Sequence, residues 1–301
     1  MKPLISFIVT YHNEPEAMLR VCVESIQALR LAEDEAEIIV VDDGSEVDLQ
    51  LHDFTIPQLI RQEQAGLSVA RNTGIDNAQG KYIQFVDADD CLIPSAYEAV
   101  IEQVRKEEAD IMMFKMTTAS PQSSSKERNS HRNSHLLWTG RGSQYLLHRN
   151  LRAAACGYVF KRDILGELRF FPGIFHEDEL FTPLLFLRAG SLVELNVKPY
   201  FYRQHEGTIT HAKSVEMVQK RLNDMHFIVN KLNSMNEPLL ERKIRQLTAD
   251  YLQKSWTQTR SFSELRRRIA ELREEGFLPL PLHCYSPRYL AIAAAVNMWQ
   301  C

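Results

Sequence analysis

The sequence predicts an α/β protein, in which a mostly parallel sheet is flanked by helices and a helical region follows at the C-terminus. Three observations lead to this fold class. Short apolar runs alternate with segments of helical periodicity over the first 115 residues, two of those runs end in acidic turns, and much of the last third of the chain is helical by pattern. Strands alternating with helices favour a parallel sheet whose ligands bind at the carboxyl ends of the strands.

The first strands are predicted from runs that are short and rich in β-branched or aromatic residues. They lie at residues 4–10, 37–41, 58–61, 82–86 and 110–114. Pro15 and Pro94 suit the first turns of two helices, and a third helix is predicted over residues 67–78. Gly80 follows that helix where a left-handed C-terminal cap would fall. This alternation is the basis of the parallel sheet.

The chain changes character after residue 115. Residues 117–135 have almost no apolar side chains, which predicts a mobile loop. A strand is expected over residues 157–162, and helices are expected over much of residues 214–275. Residues 289–299 are apolar but too few to span a bilayer, and we expect them to pack on the helical region rather than to lie at a membrane surface.

Composition limits the kinds of partner and compartment. The 301 residues are 45% hydrophobic and carry a net charge of −4, so no general basic field attracts nucleic acid. The five cysteines have no paired spacing, and no basic-then-apolar signal segment precedes the first strand. A reducing, cytoplasmic environment is therefore the expectation.

Acidic clusters follow two of the predicted strands, and a hydroxyl, that of Thr10, ends another. Asp42 and Asp43 follow the second strand, and Asp87 and Asp89 follow the strand over 82–86. Carboxylates that lie close together repel one another, and a hard cation such as Mg²⁺ or Mn²⁺ relieves this repulsion. The alternative is a polar turn in which each aspartate accepts backbone N–H groups. Three strands that end at one edge of the sheet favour a nucleotide and metal site. Because the sequence has no P-loop motif, we expect a metal ion to hold the phosphates.

Four short motifs resemble those of the family 2 glycosyltransferases of the GT-A fold, which build bacterial cell-surface glycans. They are Thr10-Tyr11-His12-Asn13, Val41-Asp42-Asp43-Gly44-Ser45, Ala70-Arg71-Asn72-x-Gly74 and Asp87-Ala88-Asp89-Asp90. The resemblance implies an inverting, metal-dependent hexosyltransferase-like enzyme with a Mn²⁺ or Mg²⁺ cofactor. Its donor would be a nucleoside-diphosphate sugar, with uridine diphosphate as the carrier favoured by the family. The acceptor would be a hydroxyl of a growing polysaccharide or lipid-linked glycan.

The resemblance also implies a role for each acid at the sheet edge. Thr10 and Asp43 would contact the nucleotide base, and Asp42 would support their turn. Asp87 would approach the ribose, and Asp89 would ligate the cation on the diphosphate.

Two neighbouring residues have alternative interpretations. Arg71 matches the family's Ala-Arg-Asn arginine near the nucleotide, but it could equally be a helix-surface arginine paired with an acid. Asp90 could support the metal ligand or cap the next helix, and the cap is the interpretation that we favour.

A second acidic stretch, His176-Glu177-Asp178-Glu179, precedes an apolar helical face. Acids at a helix start suit the helix dipole, which accounts for some of these residues but not readily for all three. The stretch is similar to the family's Glu-Asp motif, whose aspartate removes the proton of the acceptor hydroxyl. This similarity assigns the base to Asp178 and orienting or acceptor-binding roles to Glu177 and His176. One positioned base contributes roughly 10²–10⁴-fold to a rate.

Residues 199–203 and 207–211 resemble a segment that closes the domain in many relatives, with Arg203 or His211 near the leaving group. Without the resemblance they are an aromatic edge strand and a loop. The resemblance divides the chain into a nucleotide-sugar-binding part (1–115), an acceptor and catalytic-base part (116–212) and a C-terminal helical region (213–301). The implied site of action is the cytoplasm, with a peripheral contact at the inner face of the membrane left open.

Two functions of other classes stay open at this point. One is a catalytically silent nucleotide-sugar-binding or scaffold protein, which the presence of Asp178 argues against. The other is a sugar nucleotidyltransferase, which the absence of a Gly-x-Gly-Thr-Arg-like loop near the N-terminus argues against.

Overall fold

A computed structural model describes residues 2–47, 49, 55–106, 109–119, 136–204, 214–283 and 285–299. Most of the predicted mobile loop over 117–135 lies outside these residues, and so do residues 207–211 with His211.

Eleven strands are found among the described residues. They are β1 (Ile5–Tyr11), β2 (Ala36–Asp43), β3 (Gln58–Gln62), β4 (Tyr82–Asp87), β5 (Cys91–Leu92), β6 (Ile111–Met113), β7 (Met116–Thr117), β8 (Leu136–Gly140), β9 (Tyr158–Lys161), β10 (Leu192–Leu195) and β11 (Tyr200–Phe201). The main sheet has the order β3-β2-β1-β4-β9-β6-β10-β8, and β5-β11-β7 form a small second sheet. The main sheet therefore takes strands from both sides of residue 115.

The helices lie between and after the strands. They are α1 (Glu16–Gln27), α2 (Leu67–Asn77), α3 (Pro94–Lys106), α4 (Gly142–His148), α5 (Glu177–Arg188), α6 (Val215–Asn233), α7 (Glu241–Thr259), α8 (Phe262–Glu274) and α9 (Pro287–Met298). Sheet and helices together form the predicted α/β fold with a C-terminal helical region.

The parallel part of the main sheet brings three strand ends together. β1 pairs in parallel with β2 on one side and with β4 on the other. In this register Thr10 lies opposite Asp87, and Tyr11 lies opposite Asp42. The sheet departs from the parallel pattern at β9, which runs antiparallel to both β4 and β6. The predicted edge, where three strands end together, is therefore formed entirely within the parallel half.

The interior behind this edge is aromatic. Every residue of β1 is buried, as expected for a central parallel strand covered on both faces. The ring of Phe170 stacks on that of Phe181 with 3.8 Å between centroids, and the edge of Phe85 meets Phe170 at 5.3 Å. This cluster joins β4 to α5.

Gly80 is not the left-handed helix cap that the sequence predicts. Its φ angle is not positive, and the C-cap of α2 is the extended Ala78. A Cβ on Gly80 would lie 2.6 Å from the backbone nitrogen of Ser6, while the Gly80 N–H donates to Ser6 Oγ at 2.8 Å. Glycine is needed here because the chain passes close to the start of β1.

The C-terminal helices pack on one another and on the α/β part. α6 contacts α5, while α7 contacts α4, α6, α8 and α9. Tyr289, Ala293 and Val296 of α9 are buried, in agreement with the predicted packing of residues 289–299. In the described part of the chain no helix has the length and apolar character needed to cross a membrane.

Candidate active site

The ends of β1, β2 and β4 form one edge of the main sheet, which we call the donor edge. It carries Thr10, Asp42, Asp43, Asp87 and Asp89, which are five of the six residues that the sequence predicts to bind donor or metal. Thr10, Asp42 and Asp43 are almost completely buried, whereas Asp87 and Asp89 are half-buried. The structure thus brings all five onto one edge.

Asp43 is occupied by neighbouring N–H groups. Its Oδ1 accepts from Gln62 Nε2 at 2.7 Å and from the Ala65 N–H at 2.9 Å, and its Oδ2 accepts from the Gly66 N–H at 2.8 Å. A carboxylate offers about four acceptor positions, so one is left for a ligand. Asp42 accepts the Ser45 N–H at 2.9 Å. Both aspartates therefore accept backbone N–H groups, as expected for residues of a polar turn.

Glu14 joins the donor edge, a role that the sequence analysis missed. Its carboxylate accepts the His12 N–H at 2.6 Å. Burial raises the pKa of Glu14, and the negative charges of Asp89 and Asp87 raise it further. The available signal was simple, because Glu14 comes directly after the first strand just as the other acids follow theirs.

The oxygen donors of this edge fit a hard divalent cation. The carboxylates of Glu14, Asp87 and Asp89 are close enough for their charges to repel. No group of three or more metal-binding side chains is found in the described ranges. This arrangement suits Mg²⁺ or Mn²⁺ held by one or two carboxylates together with substrate phosphates, the usual mode for such ions.

Asp90 is not a helix cap, so the interpretation that we favoured is wrong. It is fully buried and accepts the Tyr200 hydroxyl and the Arg203 N–H, both at 2.7 Å. Burial, assisted by the charge of Asp87, raises the pKa of Asp90 to about 8. Asp90 therefore fastens β11 to the donor edge.

The segment around Tyr200 also differs from expectation. β11 is the central strand of the small sheet, not an edge strand. The Tyr200 hydroxyl oxygen accepts the Asp87 N–H at 3.1 Å while it donates to Asp90. This pairing places Arg203 beside the donor edge.

Arg71 is buried, which excludes its interpretation as a helix-surface residue. Its Nη1 donates to Glu177 Oε1 at 2.5 Å and its Nη2 to Asp87 Oδ1 at 3.2 Å. The guanidinium carbon lies 5.2 Å from the ring centroid of Phe170, so the aromatic cluster supports it from behind. The two carboxylates hold the pKa of Arg71 above its ordinary value in spite of burial. One guanidinium thus joins the donor edge to the first turn of α5.

The first turn of α5 carries three acids in different environments. Glu177 is paired with Arg71, and Glu179 forms an ion pair with Lys243 of α7. Asp178 lies between them with no hydrogen bond or ion pair to any described residue. Burial raises the pKa of Asp178 well above its ordinary value, and the charges of Glu177 and Glu179 raise it further. The structure therefore leaves one unpaired carboxyl group in this turn.

His176 precedes this turn in a left-handed conformation, with φ 62°. Burial lowers its pKa to about 4, and the nearby cations Lys254 and Arg221 act in the same direction. His176 is therefore neutral near pH 7. An orienting or acceptor-binding role for His176 would therefore be played by a neutral imidazole.

Comparison with known proteins identifies the group to which this arrangement belongs. Residues 6–169 match the sequence profile described as glycosyl transferase family 2. A curated relative is Glycosyltransferase GlyA of Streptococcus pneumoniae, 28% identical over 259 residues. The alignment covers 78% of this chain but only 35% of GlyA, so the chain spans about a third of that relative's length.

Solved structures with the same fold cover almost the whole chain. TarS of S. aureus in complex with UDP-GlcNAc superposes with a TM-score of 0.66 at 18% identity, covering 98% of this chain and 90% of that one. The mannosyltransferase PcManGT of Pyrobaculum calidifontis, in complex with GDP-Man and Mn²⁺, has a TM-score of 0.59 at 15% identity, with 99% and 88% covered. These likenesses confirm the predicted GT-A fold.

Proposed function

The chain belongs to glycosyl transferase family 2, and from that premise we propose that it transfers one sugar from a nucleoside-diphosphate sugar to an acceptor hydroxyl with inversion at the anomeric carbon. The observation that carries this proposal is the Arg71 bridge. It contacts Asp87 at the donor edge and Glu177 beside Asp178, so the donor residues and the proposed base are neighbours.

The donor edge would hold the nucleotide. Thr10 and Asp43 would contact the base, and Asp42 would fix the turn that carries Asp43, because it accepts the Ser45 N–H. Asp87 would accept hydrogen bonds from the ribose hydroxyls, because its carboxylate is half-buried and is oriented by Arg71. These contacts bind and orient the donor without taking part in bond breaking.

Asp89, at the end of the same segment, would hold a divalent cation on the diphosphate, with Glu14 close by. Such a cation would neutralise the charge that develops on the leaving nucleoside diphosphate. Arg203 beside Asp90 is a further cation that could approach the leaving group.

Asp178 would perform the proton transfer. Its carboxylate takes the proton of the acceptor hydroxyl while that oxygen forms a bond to the anomeric carbon. The bond from the anomeric carbon to the diphosphate oxygen breaks at the same time, and the nucleoside diphosphate leaves with its electron pair. Glu177 and Glu179 are each held in an ion pair, and Asp178 is not, which supports Asp178 over its neighbours as the base.

The finer identity of the substrates is part of the proposal. TarS was solved with UDP-GlcNAc and PcManGT with GDP-Man, so neighbours of this fold use different carriers. We favour a UDP-sugar donor and a hydroxyl of a growing cell-surface polysaccharide or lipid-linked glycan, on the family resemblance of the motifs. The division into parts 1–115, 116–212 and 213–301 belongs to the same proposal, and so does action in the cytoplasm.

The family match argues against one of the two alternatives from the sequence. It identifies a transferase of sugars, which leaves no basis for a sugar nucleotidyltransferase. Asp178, which has no ion-pair partner, argues against a catalytically silent binding protein, because such a protein needs no catalytic base.

The test is a donor panel with a stereochemical readout. The protein is incubated with UDP-, GDP- and dTDP-sugars, Mn²⁺ and candidate glycan acceptors, and release of nucleoside diphosphate is measured. Proton NMR of the fresh product reports whether the new linkage has the opposite anomeric configuration to the donor. Retained configuration, or activity undiminished by a metal chelator, would contradict the corresponding part of the proposal.

A further inference from the structure

The helical region beyond the family match reaches into the active site. The matched residues end at 169, whereas α5 begins at Glu177 and α6 and α7 follow it. Lys243, in the first turn of α7, is buried although it is charged. A buried lysine is retained only when it is paired, because an unpaired buried charge costs several kcal/mol.

Lys243 has two partners, both in the α/β part. Its Nζ donates to the carbonyl oxygen of Leu151 at 3.1 Å and forms an ion pair with Glu179. The contact with Glu179 is an ion pair without regular hydrogen-bond geometry, since Glu179 Oε2 has no hydrogen-bond partner among the described residues. The lysine therefore connects α7 directly to the first turn of α5.

A second set of contacts fixes the residues before that turn. Asp224 of α6 accepts the Phe175 N–H at 2.8 Å, and Lys220 donates to the Gly173 carbonyl at 2.8 Å. Gly173 and His176 both have positive φ angles, so this segment bends sharply into α5. α6 and α7 thus hold the segment from both ends.

We propose that Lys243 is a positioning residue of the active site: it holds Glu179, and so fixes the turn in which Asp178 is the unpaired carboxylate. Arg71 pairs with the acid before Asp178 and Lys243 with the acid after it. The arrangement prevents either flanking acid from competing for the acceptor proton, and it keeps Asp178 from being drawn into an ion pair. This inference depends on the proposed role of Asp178 as the base.

The charges around Asp178 give the proposal a measurable sign. Glu177 and Glu179 on its own helix raise the pKa of Asp178, whereas Arg71 from α2 and Lys243 from α7 lower it. Loss of Lys243 removes one of the lowering charges. Asp178 would then stay protonated to a higher pH, and the acidic limb of the kcat profile would move to higher pH.

The experiment compares four variants of the full chain. Lys243→Met removes the charge and keeps the apolar stem, and Lys243→Arg keeps the charge. Glu179→Gln with Lys243→Met removes both members of the ion pair. Arg245→Met is the matched control, because Arg245 lies on the same helix in an exposed pair with Glu241. For each we measure kcat against pH, the donor dissociation constant and the melting temperature.

We expect Lys243→Met to lower kcat about tenfold or more, to leave the donor dissociation constant within about threefold, and to move the acidic limb to higher pH. The double variant should recover most of the kcat loss, and Lys243→Arg and Arg245→Met should stay close to wild type. A Lys243→Met protein with wild-type kcat and an unmoved acidic limb overturns the proposal. A double variant no faster than the single one, at equal melting temperature, also overturns it.

Hydrogen exchange on the free proteins separates this inference from the proposed function. In Lys243→Met the amides of α5 should exchange faster, and those of α2 should not change. If the wild type transfers no sugar, the proposed function fails, but the exchange result still decides whether Lys243 positions this turn. Unchanged protection of α5 would show that it does not.

Discussion

The donor edge and the first turn of α5 both gather carboxylates, but the chain stabilises them in different ways. At the donor edge, Asp42 and Asp43 accept N–H groups from nearby loops. In the first turn of α5, the flanking acids are paired with buried cations from distant helices, such as Arg71, which is 106 positions from Glu177. Asp42 and Asp43 therefore have hydrogen-bond partners at most 23 positions away, whereas the turn that carries the proposed base is held by residues much farther along the chain.

The difference has a functional meaning. The charges of Asp89 and Asp87 raise the pKa of Glu14, as would suit the proposed binding of a cation with each donor molecule. Asp178 has neighbouring acids that raise its pKa and no ion-pair partner, as would suit the proposed base. Variants at the two places should therefore fail differently.

The largest effect is expected for Asp178→Asn, which keeps the shape of the side chain and removes the base. We expect kcat to fall by roughly 10²-fold or more, with the donor dissociation constant within a few-fold of wild type. Steady-state kinetics and calorimetry measure the two quantities. Asp163→Asn, at an exposed position, is the control and should change neither. A near-normal transfer rate in Asp178→Asn would remove the assignment and make Glu177 the next carboxylate to test.

Arg71→Lys tests the bridge between the two places. A lysine ammonium is one compact charge and cannot pair with Glu177 and Asp87 through separate donors as the guanidinium does. We therefore expect kcat and donor affinity to fall together, each by about tenfold. Arg169→Lys is the matched control, because Arg169 makes an exposed pair with Asp76. A variant that loses only one of the two properties would show that the places work independently.

Asp89→Asn should weaken donor binding alone. We expect about a tenfold or greater rise in the dissociation constant of the nucleoside diphosphate measured by calorimetry with Mn²⁺, because the proposed cation would lose a charged ligand. Wild-type protein in chelator should behave similarly, and Asp34→Asn, at an exposed position, should not. Equal affinity with and without the metal would contradict the proposed cation site.

Much of the parallel half of the fold can be predicted from the sequence. The runs at 4–10, 37–41, 58–61 and 82–86 are β1 to β4 to within two residues at either end. β1, β2 and β4 are marked by largely apolar residues, as buried parallel strands are, whereas β3 is a half-exposed strand at the edge of the sheet. The antiparallel insertion of β9 between β4 and β6 could not be predicted in this way. Strand order depends on which surfaces pack, and apolar patterning within a strand does not record it.

The candidate site divides along the same line. The acids at the strand ends and the acidic turn of α5 were predicted, since each follows a recognisable local pattern. The burial of Arg71, the pairing of Lys243 and the anchoring role of Asp90 were not, since each depends on a partner far along the chain. Lys243 has no local signal at all, because a lysine in a helix is usually exposed.

The smallest expected effect concerns stability at acid pH on the α5 side. His176 has a pKa of about 4 in the folded protein against about 6.5 in the unfolded chain, so the unfolded chain binds more protons between these values. The stability that the neutral imidazole provides is fully present above pH 6.5 and is lost as the pH falls toward 4. Because His176 is partly exposed, we expect the free energy of unfolding to fall by about 1 kcal/mol by pH 5.

His176→Asn should not show this loss of stability, and asparagine tolerates the left-handed conformation that this position requires. Urea unfolding at pH 7 and pH 5 measures the difference, with the exposed His148→Asn as the control. If wild type and His176→Asn lose the same stability between these pH values, the buried neutral histidine is not what makes this side of the site sensitive to acid.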